Sequence, residues 1–230
     1  MRPMLAMAFC CLAGLLLAGA GDGAKMCDFA RFDESQWLRA REDRFPSAGE
    51  FVQKDGFVLN AYPEGTSEAD LYACKGGVGY TMRLLKDVEM ENGRAELELS
   101  LIDRAAPSIV FRAQMHDGEV HGALYSLVIF NHSTKDKDYQ GVNLWKWTPP
   151  PADKPNERKW RRIGYWFMPI PREERVKLGV EFKGSLIRVF VNGKEIGGMA
   201  DVAALGGGRI GVVAMEGASR FYSFSATAAK

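Results

Sequence analysis

Residues 141–147 read GVNLWKW, with Asn143, Trp145 and Trp147 at alternate positions and Val142 and Leu144 between them. Alternate residues of an extended strand share a face, so two indoles and an amide stand on one side. If Val142 and Leu144 point to a core, that side suits a sugar: a pyranose stacks its apolar face on indoles while amides bond its hydroxyls. Arg112, alternating with Ile109 and Phe111, is expected to leave the core and offer a planar set of donors nearby. Tyr125, in the run LYSLVIF, completes an expected ligand-binding set of Arg112, Tyr125, Asn143, Trp145 and Trp147, with Trp160 and Trp166 as outliers. The competing use of large aromatics is to fill a core, and the parity of the 141–147 segment decides between the two.

Other chemistry-bearing residues form weaker patterns. His116, His121 and His132 occupy neighbouring loop or hairpin regions, where Asp117 and Glu119 bring acids near imidazoles. General acid–base work needs such pairing to set a pKa near neutrality, and a three-histidine zinc site would need all three to converge. Loop histidines are commonly idle, and no metal or other cofactor is expected. Glu96 and Glu98 share a strand face and read as solvent-facing charges. The run Arg158-Lys159-Trp160-Arg161-Arg162 follows the acidic Asp153 and Glu157 and reads as a solvated rim loop, with binding of an acidic polysaccharide or, in an unexported protein, nucleic acid as the alternative. Asn131-His132-Ser133 is a glycosylation sequon, relevant only in a eukaryotic source. Ser and Cys nucleophile motifs, phosphate-cradling glycine loops and dinucleotide fingerprints are absent from the sequence.

The elements that must hold these residues are strands. Residues 94–101 (RAELELSL) alternate strictly, and so do 176–182 (VKLGVEF), the pattern of a half-buried strand. LIRVFV at 186–191 runs into Asn192-Gly193, the strongest short hairpin signal, because both central turn residues need positive φ. Further strands are expected near 56–62, 79–85, 108–114, 123–130, 141–147, 160–167, 209–215 and 220–226. About a dozen strands without a long helical pattern imply two stacked antiparallel sheets, an all-β sandwich. The proline-rich stretch 149–155 is expected to be a long loop at its rim.

Composition bounds the setting. A hydrophobic fraction of 47% and a charged fraction of 26% are those of a folded globular chain. Thirty basic against 29 acidic residues leave no field to attract nucleic acid or an anionic membrane. Arg2, the uncharged apolar run 4–17 and Ala18-Gly19-Ala20 read as a secretory signal peptide, 1–20, with an uncleaved anchor as the alternative. The expected organisation is then an N-terminal segment, 21–50, packed on a sandwich domain, 51–230. Cys10 and Cys11 would leave with the signal. In an exported protein the remaining Cys27 and Cys74 most economically form a disulfide, worth about 4 kcal/mol by loop closure; the alternative is two buried thiols.

The order of landmarks resembles a known superfamily. RAELELSL, then Phe111-Arg112, Leu124-Tyr125-Ser126-Leu127, a Trp-led strand, VKLGVEFKGSLIRVFVNGKEI, and GGGRIGVVAMEGASRFYSFSA are similar to concanavalin A-like lectins and glucanases. The nearest branch is that of laminin-G-like and 3-keto-disaccharide hydrolase-like domains of exported bacterial proteins. The resemblance spans roughly residues 51–226 and implies a jelly roll in the periplasm or outside the cell. It implies a glycan as partner, without fixing oligomeric state. The chain lacks the Glu-x-Asp-x-x-Glu strand of laminarinase-type members and the Asp-rich metal loop of legume-type lectins. Asp136-Lys137-Asp138 is a poor substitute for the latter. Three readings follow: a lectin-like binding domain, a glycoside hydrolase with Glu119, His121 or Asp103 as first suspects, or a structural or adhesion module.

Overall fold

The computed structural model describes residues 24–41, 49–72, 74, 78–102, 104–115, 123–131, 140–149, 153 and 159–229. The expected signal segment 1–20, Asp103, His116, Glu119, His121, His132, the 136–138 segment and Arg158 lie outside them, as does most of the proline-rich stretch. Among the described residues there are fifteen strands and one short helix, α1 (Glu68–Tyr72).

The first sheet contains β1 (Ala24–Asp28), β3 (Glu50–Lys54), β4 (Phe57–Ala61), β6 (Gly93–Leu101), β11 (Val176–Lys183), β12 (Leu186–Val191), β13 (Lys194–Ala200) and β15 (Ser219–Ala228). Its order is β13-β12-β11-β6-β15-β4-β3, with β1 also on β15. The second contains β2 (Trp37–Ala40), β5 (Thr81–Met90), β7 (Ser108–Ala113), β8 (Leu124–Phe130), β9 (Gly141–Thr148), β10 (Lys159–Trp166) and β14 (Gly208–Ala214). Its order is β10-β9-β8-β7-β14-β5-β2. Every pairing is antiparallel. The all-β two-sheet sandwich is thus the observed fold.

The strict alternation of β6 and β11 does what it predicts. Leu97, Leu99, Leu178 and Val180 are buried between the sheets, and Arg94, Glu98 and Lys177 face solvent or the sheet's outer side. Asn192 and Gly193 turn the β12–β13 hairpin at φ 51° and 77°, and Asn192 Oδ1 accepts from Lys177 N–H at 2.8 Å. The strands β1, β2 and β3 have no such signature in the sequence. They are short, and 3-10 turns at Phe29–Arg31 and Glu34–Gln36 separate the first two. A buried guanidinium joins this region to the sandwich. Arg83 Nε donates to Glu34 Oε1 at 2.9 Å, and its guanidinium lies 5.6 Å from the Phe51 ring.

The second sheet is apolar on both sides. Ile109, Phe111, Leu127, Val142, Leu144 and Val212 fill the space between the sheets. Met82, Leu84, Val110, Leu124, Trp147 and Val213 form a second buried layer on its other side, with Cys74 and Tyr80 packed into it. This layer corrects the expected disulfide. Cys27 sits in the inter-sheet core and Cys74 in the outer layer, so the second sheet lies between the two sulfurs and they are not joined. Burial pushes the Cys27 thiol pKa up and lowers its reactivity.

Trp166 closes one side of the sandwich. It ends β10, the outermost strand of the second sheet, and lies against Gly197 of β13, the outermost strand of the first, where any Cβ would collide with the indole. Replacing Gly197 by valine is therefore expected to destabilise the protein by roughly 1–3 kcal/mol, the usual cost of overpacking, as read by urea unfolding. Alkylation in denaturant without reductant should label both Cys27 and Cys74. Recovery of a peptide pair linked through them would contradict this arrangement.

Candidate functional site

Strand β9 sets the parity on which the aromatic residues depend. Val142 and Leu144 are fully buried between the sheets. Lys146, two residues on, also points inward, where its Nζ donates to Asp201 Oδ2 at 2.7 Å and to the carbonyl of Ala203. Asn143, Trp145 and Trp147 consequently stand on the outward side of the second sheet. The neighbouring edge strand adds Trp160 opposite Trp147, Arg162 opposite Trp145 and Tyr165 opposite Asn143, a bulge between Arg162 and Gly164 keeping the latter pair in step. Sequence reading placed Trp160 only at the margin, took Arg162 as part of a solvated rim loop where the structure has strand β10, and did not single out Tyr165. The signal for all three was their spacing on a strand that pairs with β9.

The group has distinct roles within it. Trp147 is 1% exposed and packs with Leu124, Val110 and Met82 as part of the outer layer, and Asn143 is fully buried. Trp145 and Trp160 are half-buried, with ring centroids 6.5 Å apart and planes at 75°. Their edge-to-face contact is a favourable aromatic geometry. Arg162 is exposed, donates from Nη1 to Asn143 Oδ1 at 3.3 Å, and lies 4.8 Å over the ring of the exposed Tyr165. The indole N–H of Trp160 is buried and has no hydrogen-bond partner among the described residues, a group that ordinarily finds one.

Two of the expected site residues are elsewhere. Arg112 does not follow strand alternation. Ala113 pairs with Arg209 while Val110 pairs with Gly211, so Phe111 and Arg112 together oppose Ile210, and Arg112 takes φ 50°. This bulge turns its side chain inward. The guanidinium is 5.4 Å from the Phe182 ring and bonds the Glu91 carbonyl at 2.9 and 2.6 Å and the Gly184 carbonyl at 2.8 Å. Arg112 thereby ties the β5–β6 connection between the sheets and the β11–β12 turn of the first sheet to β7. Tyr125 is likewise in the inter-sheet core, stacked on Phe111 at 5.0 Å. Its hydroxyl donates to Asp201 Oδ2 at 2.7 Å and accepts from Leu205 N–H at 3.1 Å. Neither residue reaches the tryptophan face.

Burial and the bond to Asp201 push the Tyr125 pKa up to about 12. Burial opposes ionisation of Asp201, but hydrogen bonds from Lys146, Tyr125 and the Ala203 N–H outweigh it and hold the carboxyl below its usual range. The carboxylates of the outer face of the first sheet are simpler. Glu96 accepts from Arg94 at 2.8 Å, and Glu98 from Arg175 and Ser223 at 3.4 Å each. No group of three or more His, Cys, Asp or Glu positioned for a metal occurs among the described residues.

With the sheets and the aromatic face in place, the chain can be compared with known proteins. No protein-family model matches the sequence, and no curated protein matches it. Solved structures match its fold. The carbohydrate-binding module CBM66 from Bacillus subtilis superposes with a TM-score of 0.57 at 13% identity, over 81% of this chain and 92% of that one. A Bacillus subtilis protein of unknown function with a galectin-like fold gives 0.57 at 10% identity, over 88% and 94%. Bacillus licheniformis β-glucanase gives 0.55 at 9% identity, over 89% and 98%. These likenesses, with the strand order above, define the fold as a concanavalin A-like jelly roll.

The buried contacts give two expectations. The Tyr125 pKa is raised on folding, so its contribution is complete below pH 10 and is lost as pH rises from about 10 to about 12. Over that window Tyr125→Phe should show a shallower loss of stability than the parent in urea melts. Arg112→Ala should destabilise by about 3 kcal/mol, since it removes charge-assisted bonds and leaves buried carbonyls unpaired; a neutral result in the same melts would contradict the inward placement.

Proposed function

We propose that the protein is an exported carbohydrate-binding domain that holds a glycan at the β9–β10 edge of its second sheet. The observation that carries this reading is the register of Trp145 and Trp160 with Arg162, Asn143 and Tyr165 on one side of two adjacent strands. Half-buried indoles offer apolar ring faces, and Arg162 offers a planar fork of donors. Neutral pyranoses present the complementary pattern of apolar C–H faces and hydroxyls. Trp147 and Asn143 support this surface from beneath. The likeness in fold to a carbohydrate-binding module and a β-glucanase is consistent with the proposal. Export through residues 1–20 would bring the domain to extracellular or periplasmic glycans.

The hydrolase reading needs a carboxylate or imidazole placed beside these tryptophans. Its suspects Asp103, Glu119 and His121 lie outside the described residues. The experiment is tryptophan fluorescence titrated with cello-, malto-, xylo- and fructo-oligosaccharides, each sample also analysed for released sugar. Trp145→Ala and Trp160→Ala are each expected to weaken binding at least tenfold, the loss typical of a central contact, at a smaller cost in stability than truncating the fully buried Trp147. Trp147→Ala should instead cost about 3–5 kcal/mol of stability, as a buried aromatic truncation does. Binding indifferent to both Trp145 and Trp160 would overturn the placement, and released sugar would replace binding by hydrolysis.

A further inference from the structure

A second site lies across the same sheet from the tryptophans. The register of β5, β14 and β7 places Glu89, Arg209 and Ala113 side by side in one cross-strand row. Beside them is a cavity of about 530 Å³, walled also by Leu38, Gln114, Met115 and the backbone of Gly207 and Gly208. Such a volume falls in the range of small-ligand sites. Strand β8 lies between β7, which walls the cavity with Ala113, and β9, so the cavity is not part of the aromatic edge.

The wall is built rather than incidental. Arg209 Nη1 donates to the carbonyls of Leu85 and Lys86 and Nη2 stands 3.5 Å from Glu89 Oε1, which fixes the guanidinium at the cavity side. A Cβ on Gly208 would stand 2.7 Å from the Ala113 carbonyl, so only glycine lets this backbone run against β7. Gly207 and Gly208 accordingly offer peptide groups without side chains.

We infer that this cavity is a binding site for a neutral polyhydroxylated ligand of one or two pyranose rings. The lining supplies one acid, one base and one amide, hence acceptors, donors and both together. A ligand with a net charge would meet a like charge at Glu89 or at Arg209, whereas vicinal hydroxyls satisfy each in turn. Leu38 and Met115 provide the apolar surface that the C–H face of a sugar ring requires. The inference stands whether or not the tryptophan edge binds, because no residue is shared between the two.

The test is amide chemical-shift mapping of the ¹⁵N-labelled protein with glucose, cellobiose, maltose and sucrose, and with glucuronate as the charged control. Saturable shifts at Gly207, Gly208 and Gln114 with a neutral sugar are expected. They should persist in Trp160→Ala and weaken at least tenfold in Gln114→Ala and in Glu89→Ala, whose side chain is largely exposed. Stronger shifts with glucuronate, shifts unchanged by both cavity variants, or none at these amides with any sugar would each overturn the inference. Shifts confined to Trp145 and Trp160 would overturn it while leaving the proposal for the edge intact. Shifts confined to the cavity would do the reverse.

Discussion

The Lys146–Asp201–Tyr125 contact is the constraint on which the orientation of the second sheet rests. An ammonium and a carboxylate are costly to bury unless they meet with good geometry and further hydrogen bonds. Here Asp201 accepts from Lys146 and Tyr125, and its other oxygen accepts from Ala203 N–H at 3.1 Å. Lys146 and Tyr125 are direct partners on β9 and β8. A slip of one residue in either strand would carry one of them to the opposite face and strand the other without its partner. The polar cluster thus fixes which way β9 faces, and with it the side on which Asn143, Trp145 and Trp147 stand. It also anchors the β13–β14 connection, whose glycines go on to form the wall of the cavity beside Arg209.

The two sheets obey different rules. The first is half-buried, and its sequence alternates accordingly in β6 and β11. The second is covered on both sides, and β7 and β8 are buried at every position. Continuous apolar runs of this kind mark strands buried on both faces. LYSLVIF at 124–130 carries that mark openly. Read with it, GVNLWKW next door belongs to a sheet whose outward side is itself a packed layer, so alternation indicates the side of Trp147 but not its exposure.

Most strands and the Asn192-Gly193 turn were legible because period and turn chemistry are local properties, whereas the parity of 141–147 was left open by the sequence and is set by the burial of Val142 and Leu144 between the sheets. Arg112 was not legible, because its direction is set by one extra residue opposite Ile210, a matter of pairing between distant strands. Tyr125 was misread for a related reason: its hydroxyl partner lies 76 positions away, and no spacing announces it. The separation of Cys27 from Cys74 likewise required knowing that a whole sheet runs between them. Strands β1, β2 and β3 owe their existence to neighbours already in place more than to their own pattern. The pairing of Trp145 with Trp160 and Arg162 belonged to the same category, visible only once β9 and β10 were aligned.

Trp166 over Gly197 bears on how the molecule behaves among copies of itself. An open sheet edge invites a strand from another chain to add onto it. At this side of the sandwich two such edges, β10 and β13, run along the same seam, and one indole lies across it. An incoming strand must contend with that ring rather than meet an unobstructed ladder. Glycine at position 197 is therefore less a concession to backbone freedom than a berth for a neighbour's side chain. Its loss would tend first to raise self-association, before any change in what the outward face of the second sheet can hold.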